Sequence, residues 1–380
     1  MKFSFAHAAG LACLLAVRMA AAQTSYDNFD DLARRAQAAL DSDPAQAAVL
    51  YKQALEFQPT WPEGWFYLGG ALYRLDRYAE GIDAFHKGLD LSPHNGPAWA
   101  LMGMCEYELG HLDQTLADIG KGEDLGLGTN TAFEAAVRQR AALALIRQSF
   151  FDRAMAQLQP LIKNKENTAP VMEAAGLCSL GVAEDPTKLP ENKRKIVDMT
   201  GSAMWAAVSH RPQDAEQEFH RLLAAYPNEP GVHYAFGLYL MDTDQHGALV
   251  EFRKELSLNP THWPTLLASA FLETRDGTPE AALQLAERAR KVAPTSYLWL
   301  CEAEMGRALL AKDEPEKAVP LFEDSVKQQP DNAQTHFYLE QAYRRAGRKS
   351  DAQREKAVFV RLKSQQDPGA MPGLMNSANR

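Results

Sequence analysis

The sequence predicts an all-α chain, an α-solenoid of about nine helix-turn-helix repeats with an irregular segment near 170–209. Three observations predict it. Residues 65–93, WFYLGGALYRLDRYAEGIDAFHKGLDLSP, read as two amphipathic helices joined by a short turn. That stretch returns, more or less degraded, along nearly the whole chain at a period of 34 residues, the mark of stacked helical units. Prolines punctuate the period at Pro59, Pro93, Pro227, Pro260, Pro294 and Pro330, each placed to stop a helix by its missing N–H. At 380 residues a globular chain suggests two or three domains, but a solenoid sets that expectation aside, because each repeat touches only its neighbours.

The unit is clearest when Pro62 is position 1. Trp65, Leu68 and Leu72 are then the large residues at positions 4, 7 and 11, with Gly69 small at 8. Gly81 and Gly88 are small at 20 and 27, Phe85 is large at 24, and Pro93 is at 32. Positions 4, 7, 8 and 11 share one face of the first helix, and 20, 24 and 27 one face of the second. Small residues let the helices approach and large ones fill the space beside them. On these residues the unit resembles a tetratricopeptide repeat (TPR), with Gly in place of Ala at 20 and 27. The resemblance spans roughly 28–364, is weakest at 170–209, and implies a right-handed TPR-type solenoid that binds protein or peptide.

In chain order, residues 1–22 read as a cleavable signal peptide. Lys2 supplies the positive start, Phe3 to Val17 the apolar run, and Ala20-Ala21-Ala22 a small-residue cleavage site. The run is too short to span a membrane comfortably, and Cys13 lacks the large aliphatic residue of a lipoprotein site three positions before it. Removal of Lys2 and Arg18 leaves 38 basic against 49 acidic residues, a net −11, which disfavours general nucleic-acid binding. The remaining Cys105, Cys178 and Cys301 are odd in number and read as small buried apolar residues. No Asn-x-Ser/Thr sequon occurs.

Residues 28–168 read as a first array of four repeats. Its first helix is polar, with Arg34 and Arg35 at positions 7 and 8, as a terminal cap requires. Residues 125–130 read as a loop. The register breaks at 169–209: Pro170–Leu180 resembles a first helix, Gly181–Pro190 a loop with two prolines, and Glu191–Ser209 one long helix. The segment therefore carries either an extra helix or a missing one, and is a candidate hinge. A second array, 210–364, closes on a charged helix with Arg354, Lys356, Arg361 and Lys363, and a Pro/Gly/Asn-rich tail, 365–380, is expected to be disordered.

The chain contains no Gly-x-Gly-x-x-Gly, Walker A, His-Glu-x-x-His or Cys-x-x-Cys motif, and its ten histidines are scattered. No cofactor, metal or catalytic residue is assigned, and the repeats leave no stretch for a catalytic domain. In TPR proteins positions 2, 5, 9, 12 and 13 of the first helices line a concave groove. Carried over, the resemblance implies Phe66, Tyr73 and Arg74; Met104 and Tyr107; Gln139, Leu143 and Arg147; Tyr234, Leu238 and Met241; Leu267, Phe271 and Arg275; Arg307; and Phe337, Gln341 and Arg344. This lining is aromatic and apolar with scattered Arg, and lacks the Asn and Lys set that clamps a C-terminal carboxylate. It suits an extended or helical peptide with hydrophobic anchors and some acids. Packing of adjacent first helices is the competing account of the same aromatics.

Arg344, Arg345, Arg348 and Lys349 form a basic cluster that suits either an acidic partner, an anionic surface or a solvated helix end. The reading is thus a non-catalytic binding scaffold of the cell envelope or secreted fraction, periplasmic or released. Its rivals are a polysaccharide-binding or export scaffold acting through Trp65, Trp99 or Tyr107, and an enzyme with a cryptic site near 181–211.

Overall fold

The computed structural model describes residues 28–164, 168–275 and 277–366. The expected signal peptide and most of the expected tail lie outside these residues. Among the described residues there is helix and no strand. The chain divides into two compact units, the first reaching Cys178 and including Ala183–Pro190, the second comprising Ser179–Val182 and the chain from Glu191.

The first unit contains α1 (28–39), α2 (Pro44–Phe57), α3 (Pro62–Arg74), α4 (Tyr78–Leu91), α5 (Gly96–Leu109), α6 (Leu112–Leu125), α7 (Thr131–Arg147) and α8 (Phe151–Lys163). They pack as consecutive pairs, and α9 (Ala169–Leu180) follows alone. The second unit is built of the pairs α10 (Glu191–Val208) with α11 (Pro212–Ala225), α12 (Val232–Leu240) with α13 (Gln245–Leu258), α14 (Trp263–Arg275) with α15 (Pro279–Val292), α16 (Leu298–Ala311) with α17 (Pro315–Gln328), and α18 (Ala333–Arg345) with α19 (Lys349–Gln366).

This arrangement resolves the broken register as a missing helix. After α9 the chain makes only a 3₁₀ turn, Pro186–Lys188, where a second helix is due. Pro186 and Pro190 lie too close together for a second helix to form between them. The long helix α10 is a first helix in register: Ala203 takes position 8, Ala215 position 20 and Phe219 position 24, all fully buried. Helix α19 also runs two residues into the expected tail.

Two devices recur across the helix pairs. The first is an interlock of positions 8 and 24. A Cβ placed on Gly69, Gly103, Gly237 or Gly306 would lie 2.8, 2.9, 2.3 and 2.7 Å from Phe85, Ile119, Phe252 and Phe322 respectively. Those four large side chains are at most 1% exposed, so the bare backbone of one helix is the floor on which the other packs. The second device is the turn. Position 15 is left-handed in seven repeats: Asp76, Gly110, Ser149, His210, Gly277, Asp313 and Gly347, with φ between 56° and 83°. The next N–H returns to the carbonyl five residues back, as Arg77 to Leu72 at 3.0 Å and Arg211 to Ala206 at 2.9 Å. This is the 6→1 bond of a Schellman cap, which satisfies an orphan carbonyl of the first helix. That His210 obeys the rule ties α10 and α11 to the common geometry. Helix α12 departs from it, ending on right-handed Met241 with the Asp244 N–H on the Leu240 carbonyl at 2.7 Å; at its start the carboxylate of fully buried Glu255, on α13, takes the N–H of Gly231 at 2.9 Å through both oxygens.

Helix starts are capped by side chains where the sequence supplies them. Asp43, Asn95, Asn130, Asp244 and Asn332 each accept from the backbone N–H three residues on, at 2.9 to 3.1 Å. In α1, Arg34 and Arg35 are exposed and pair with Asp31. Ala36 is buried against Ala47 and Tyr51 of α2.

Candidate functional site

In the first unit, α3 and α5 border an open cavity of about 420 Å³. Phe66, Tyr73 and Arg74, three of the sequence-derived groove residues, line it together, with Tyr67, Phe85 and Leu101. Burial raises the Tyr73 phenol above its ordinary pKa, and Tyr78 meets it edge-on at 5.7 Å. Gly70 lies in the wall, and a Cβ there would meet nothing within 4 Å. Arg74 does not reach into this space as a free cation. It donates to the carbonyl of Leu40 at 2.7 Å and to Asp41 Oδ1 at 2.9 Å, thereby tying down the loop after α1. Arg345 makes the equivalent bond to the Leu310 carbonyl at 2.6 Å. A cation at the C-terminal carbonyls of the preceding first helix is favourable for the helix dipole.

The next predicted residues lie in or beside the packing between helices. Met104 and Tyr107 are buried in α5, and Arg140 and Arg147 of α7 lie over the Tyr107 ring at 5.4 and 5.8 Å. Gln139 and Leu143 lie on α7, half-buried and buried. In the second unit Tyr234 is buried against Phe252 and His262, with Leu238 and Met241 partly covered in the same cluster, and Leu267 is buried beneath Trp263. Packing within and between repeats covers Met104, Tyr107, Leu143, Tyr234 and Leu267, while Gln139, Arg147, Leu238 and Met241 are half-buried.

Three other predicted residues come together in the second unit. Phe271, Arg275 and Arg307 line a cleft of about 880 Å³ between α14, α16 and the start of α18. Arg307 is only 9% exposed. Its guanidinium carbon lies 4.4 Å from the Phe271 ring centre and 5.1 Å from that of Tyr338. Its Nη1 donates to both oxygens of Glu304, at 2.9 and 2.7 Å. Burial raises the Glu304 pKa, opposed by Arg307. Arg275 lies over the same Phe271 ring at 5.6 Å, and the Gln245 amide oxygen accepts from it at 2.7 Å.

Sequence reasoning missed Glu304, Tyr338 and Thr335 in this cleft, and Leu101 in the first cavity. The omission follows a rule: Leu101 and Tyr338 are both at position 6. A cavity beside position 9 of one repeat is walled by positions 3 and 6 of the following one, a registration that inspecting each repeat separately cannot show. At the end of the chain Phe337 is 37% exposed and contacts Phe359 at 5.4 Å, Gln341 is half-covered, and Arg344 pairs with Glu340 at 3.5 Å.

The tryptophans of the polysaccharide-binding alternative are engaged within the fold. Trp65 and Trp99 each donate Nε1–H to the proline carbonyl of the preceding repeat, Pro59 at 2.8 Å and Pro93 at 2.9 Å. Lys87 and Lys121 cover the rings at 4.6 and 3.5 Å. The basic cluster is likewise engaged, Arg348 with Asp351 and the Tyr343 ring and Arg345 with Leu310. Among the described residues no group of His, Cys, Asp or Glu is arranged to hold a metal, and no helix is long and apolar enough to cross a membrane.

The tetratricopeptide repeat family pattern matches residues 62–95, which carry most of the first cavity, and 303–356, which carry much of the cleft. A TPR repeat-containing protein of Methanocaldococcus jannaschii is 34% identical over 86 residues, 22% of this chain, which spans only 15% of that relative's length. Among solved structures, MamA 41-end from Desulfovibrio magneticus RS-1 is 20% identical with a TM-score of 0.41, over 46% of this chain and 97% of that one. A crystal structure of MamA is 17% identical with a TM-score of 0.39, over 43% and 95%.

Proposed function

From a chain built of tetratricopeptide repeats, we propose a protein-interaction scaffold that holds an extended peptide against its first helices, by hydrophobic anchors and acidic residues. The observation that carries this is the cavity beneath Phe66, Tyr67 and Tyr73. Its walls come mostly from two first helices, α3 of the matched repeat and α5 of the next. A large apolar side chain buried there contributes about 2 kcal/mol by area alone, which is the scale of an interface anchor. The activity proposed is binding. Lys2, the apolar run Phe3–Val17 and Ala20–Ala22 support export to the envelope or medium as part of this reading.

Gly70→Leu tests the anchor site, because the added side chain fills the cavity without meeting a neighbour at its Cβ. A photo-crosslinking residue at Tyr67 is introduced into the full chain in cells, and the adducts are identified by mass spectrometry. We expect a discrete set of adducts that Gly70→Leu abolishes while helicity is unchanged. Adducts that persist in Gly70→Leu, or none at all, overturn the assignment. Cell fractionation with determination of the mature N-terminus tests export, which predicts Gln23 as the first residue.

A further inference from the structure

We infer that the cleft between α14, α16 and α18 reads an acidic side chain of a bound peptide, through the free edge of the Arg307 guanidinium. The inference rests on the peptide-binding reading and assigns it a second, chemically distinct site.

Arg307 is presented as a flat fork. Phe271 and Tyr338 lie beside its faces, and Glu304 occupies only Nη1. Among the described residues, Nε and Nη2 have no acceptor, although the residue is nine-tenths buried. Those two donors are parallel and spaced to match the two oxygens of a carboxylate. Asn332 adds further donors to the polar wall, which Gln334 and Thr335 complete. Asn332 spends its Oδ1 on the backbone and hydroxyl of Thr335, which leaves its amide N–H groups to the cleft.

Charge points the same way. The lining carries two guanidinium groups, Arg275 and Arg307, against the single carboxylate of Glu304, and the partner of Arg275 is a neutral amide. One positive charge is left over, in a chain whose net charge is −9. A carboxylate neutralises it in a place already screened from water by two rings, where a charge-assisted bond is stronger than at an open surface. Trp299 and Leu300 continue the wall and suit an apolar residue beside the acid.

Full-length chain is titrated with fluorescent nine-residue peptide pools blocked at both ends, randomised around a central Glu or a central Gln. A Gln-centred pool with a free C-terminal carboxylate and free glutarate as competitor are included. We expect the Glu pool to bind about tenfold more tightly than the Gln pool, the scale of one charge-assisted fork. Arg307→Lys, which keeps the charge and loses the fork, is expected to erase that difference. Glu304→Gln, which removes the resident carboxylate, is expected to tighten the Glu pool severalfold, a gain that mere damage to the fold cannot produce. Gly70→Leu is expected to leave the Glu/Gln ratio unchanged.

Equal binding of the Glu and Gln pools, or a weakened Glu pool in Glu304→Gln, overturns the inference and leaves the apolar anchor reading standing if Gly70→Leu still weakens both pools. A preference for the free C-terminus transfers the site to a chain end. Glutarate displacing the Glu pool at equal concentration transfers it to free organic acids. Failure of every pool to bind overturns both readings.

Discussion

His336 donates Nε2–H to the carbonyl oxygen of Pro330 across 2.9 Å, while its Nδ1 faces Glu355 at 2.6 Å. His233 repeats the arrangement with Pro227 and Glu251. Both are position-4 residues, where Trp65 and Trp99 bond to Pro59 and Pro93 with a single indole donor. An imidazole set between two acceptors satisfies both only when each nitrogen carries a proton. The bonds to Glu251 and Glu355 accordingly hold the two rings above the ordinary histidine pKa, against the opposing effect of burial.

These joints predict a pH-dependent stability in the second unit. A raised folded pKa means that the stabilisation is complete below the unfolded value of about 6.5 and is lost as pH rises through the folded one. Urea unfolding between pH 6 and pH 9 should show a falling midpoint. His233→Gln and His336→Gln should each lower the pH 6 stability by about 1 kcal/mol and flatten the slope.

His262 should act in the opposite sense. It is packed edge-on to Tyr234, its Nδ1 lies 2.6 Å from Thr265 Oγ1, and burial pushes its pKa down to about 4. A depressed pKa gives stability that is complete above about 6.5 and is lost as pH falls toward 4. His262→Asn, which can cap α14, should remove that acid loss in thermal unfolding between pH 6.5 and pH 4.

Asp118 is the weak point of the first unit. It is 3% exposed, its Oδ1 accepts from Gln114 at 2.8 Å, and among the described residues its Oδ2 has no partner. Burial pushes its pKa up to about 6, against the Gln114 bond. Stability therefore falls as pH rises from about 4 to 6, and the charge is carried at a cost above that. Asp118→Asn should stabilise at pH 7 by about 1–2 kcal/mol and change little at pH 4, as read by calorimetry.

The helix interlock predicts a paired effect. Gly237→Ala places a methyl group 2.3 Å from Phe252 Cε1 and should destabilise by roughly 1–3 kcal/mol despite the better helix propensity of alanine. Phe252→Leu in the same chain should recover part of that loss, so the double mutant should be more stable than the two single losses summed. Simple addition in urea unfolding would show that the two positions do not meet.

His210 and Ser149 hold left-handed turns at φ 56° and 65° without being glycine. The same turn position is occupied by glycine in three other repeats, at Gly110, Gly277 and Gly347. His210→Gly and Ser149→Gly should each raise the unfolding temperature, by up to about 1 kcal/mol in stability, with no change in helicity.

The sequence by itself determined the repeat. Gly69, Gly306, Phe85 and Phe322 are legible because the 8–24 interlock lies within one helix pair, and local spacing dictates it. The prolines that end second helices are legible for the same reason. Tertiary structure alone decided which groove residues remain open. Tyr107 and Tyr234 are covered while Phe66, Tyr73 and Phe271 line cavities, because their exposure depends on what the next repeat brings against them. It also decided that α9 lacks its partner and that α10 is a first helix, and it placed Glu304 and Tyr338 around Arg307. A periodic pattern specifies contacts within one helix pair, whereas the chemistry of a site between repeats is set by side chains about 30 residues apart that only stacking brings together.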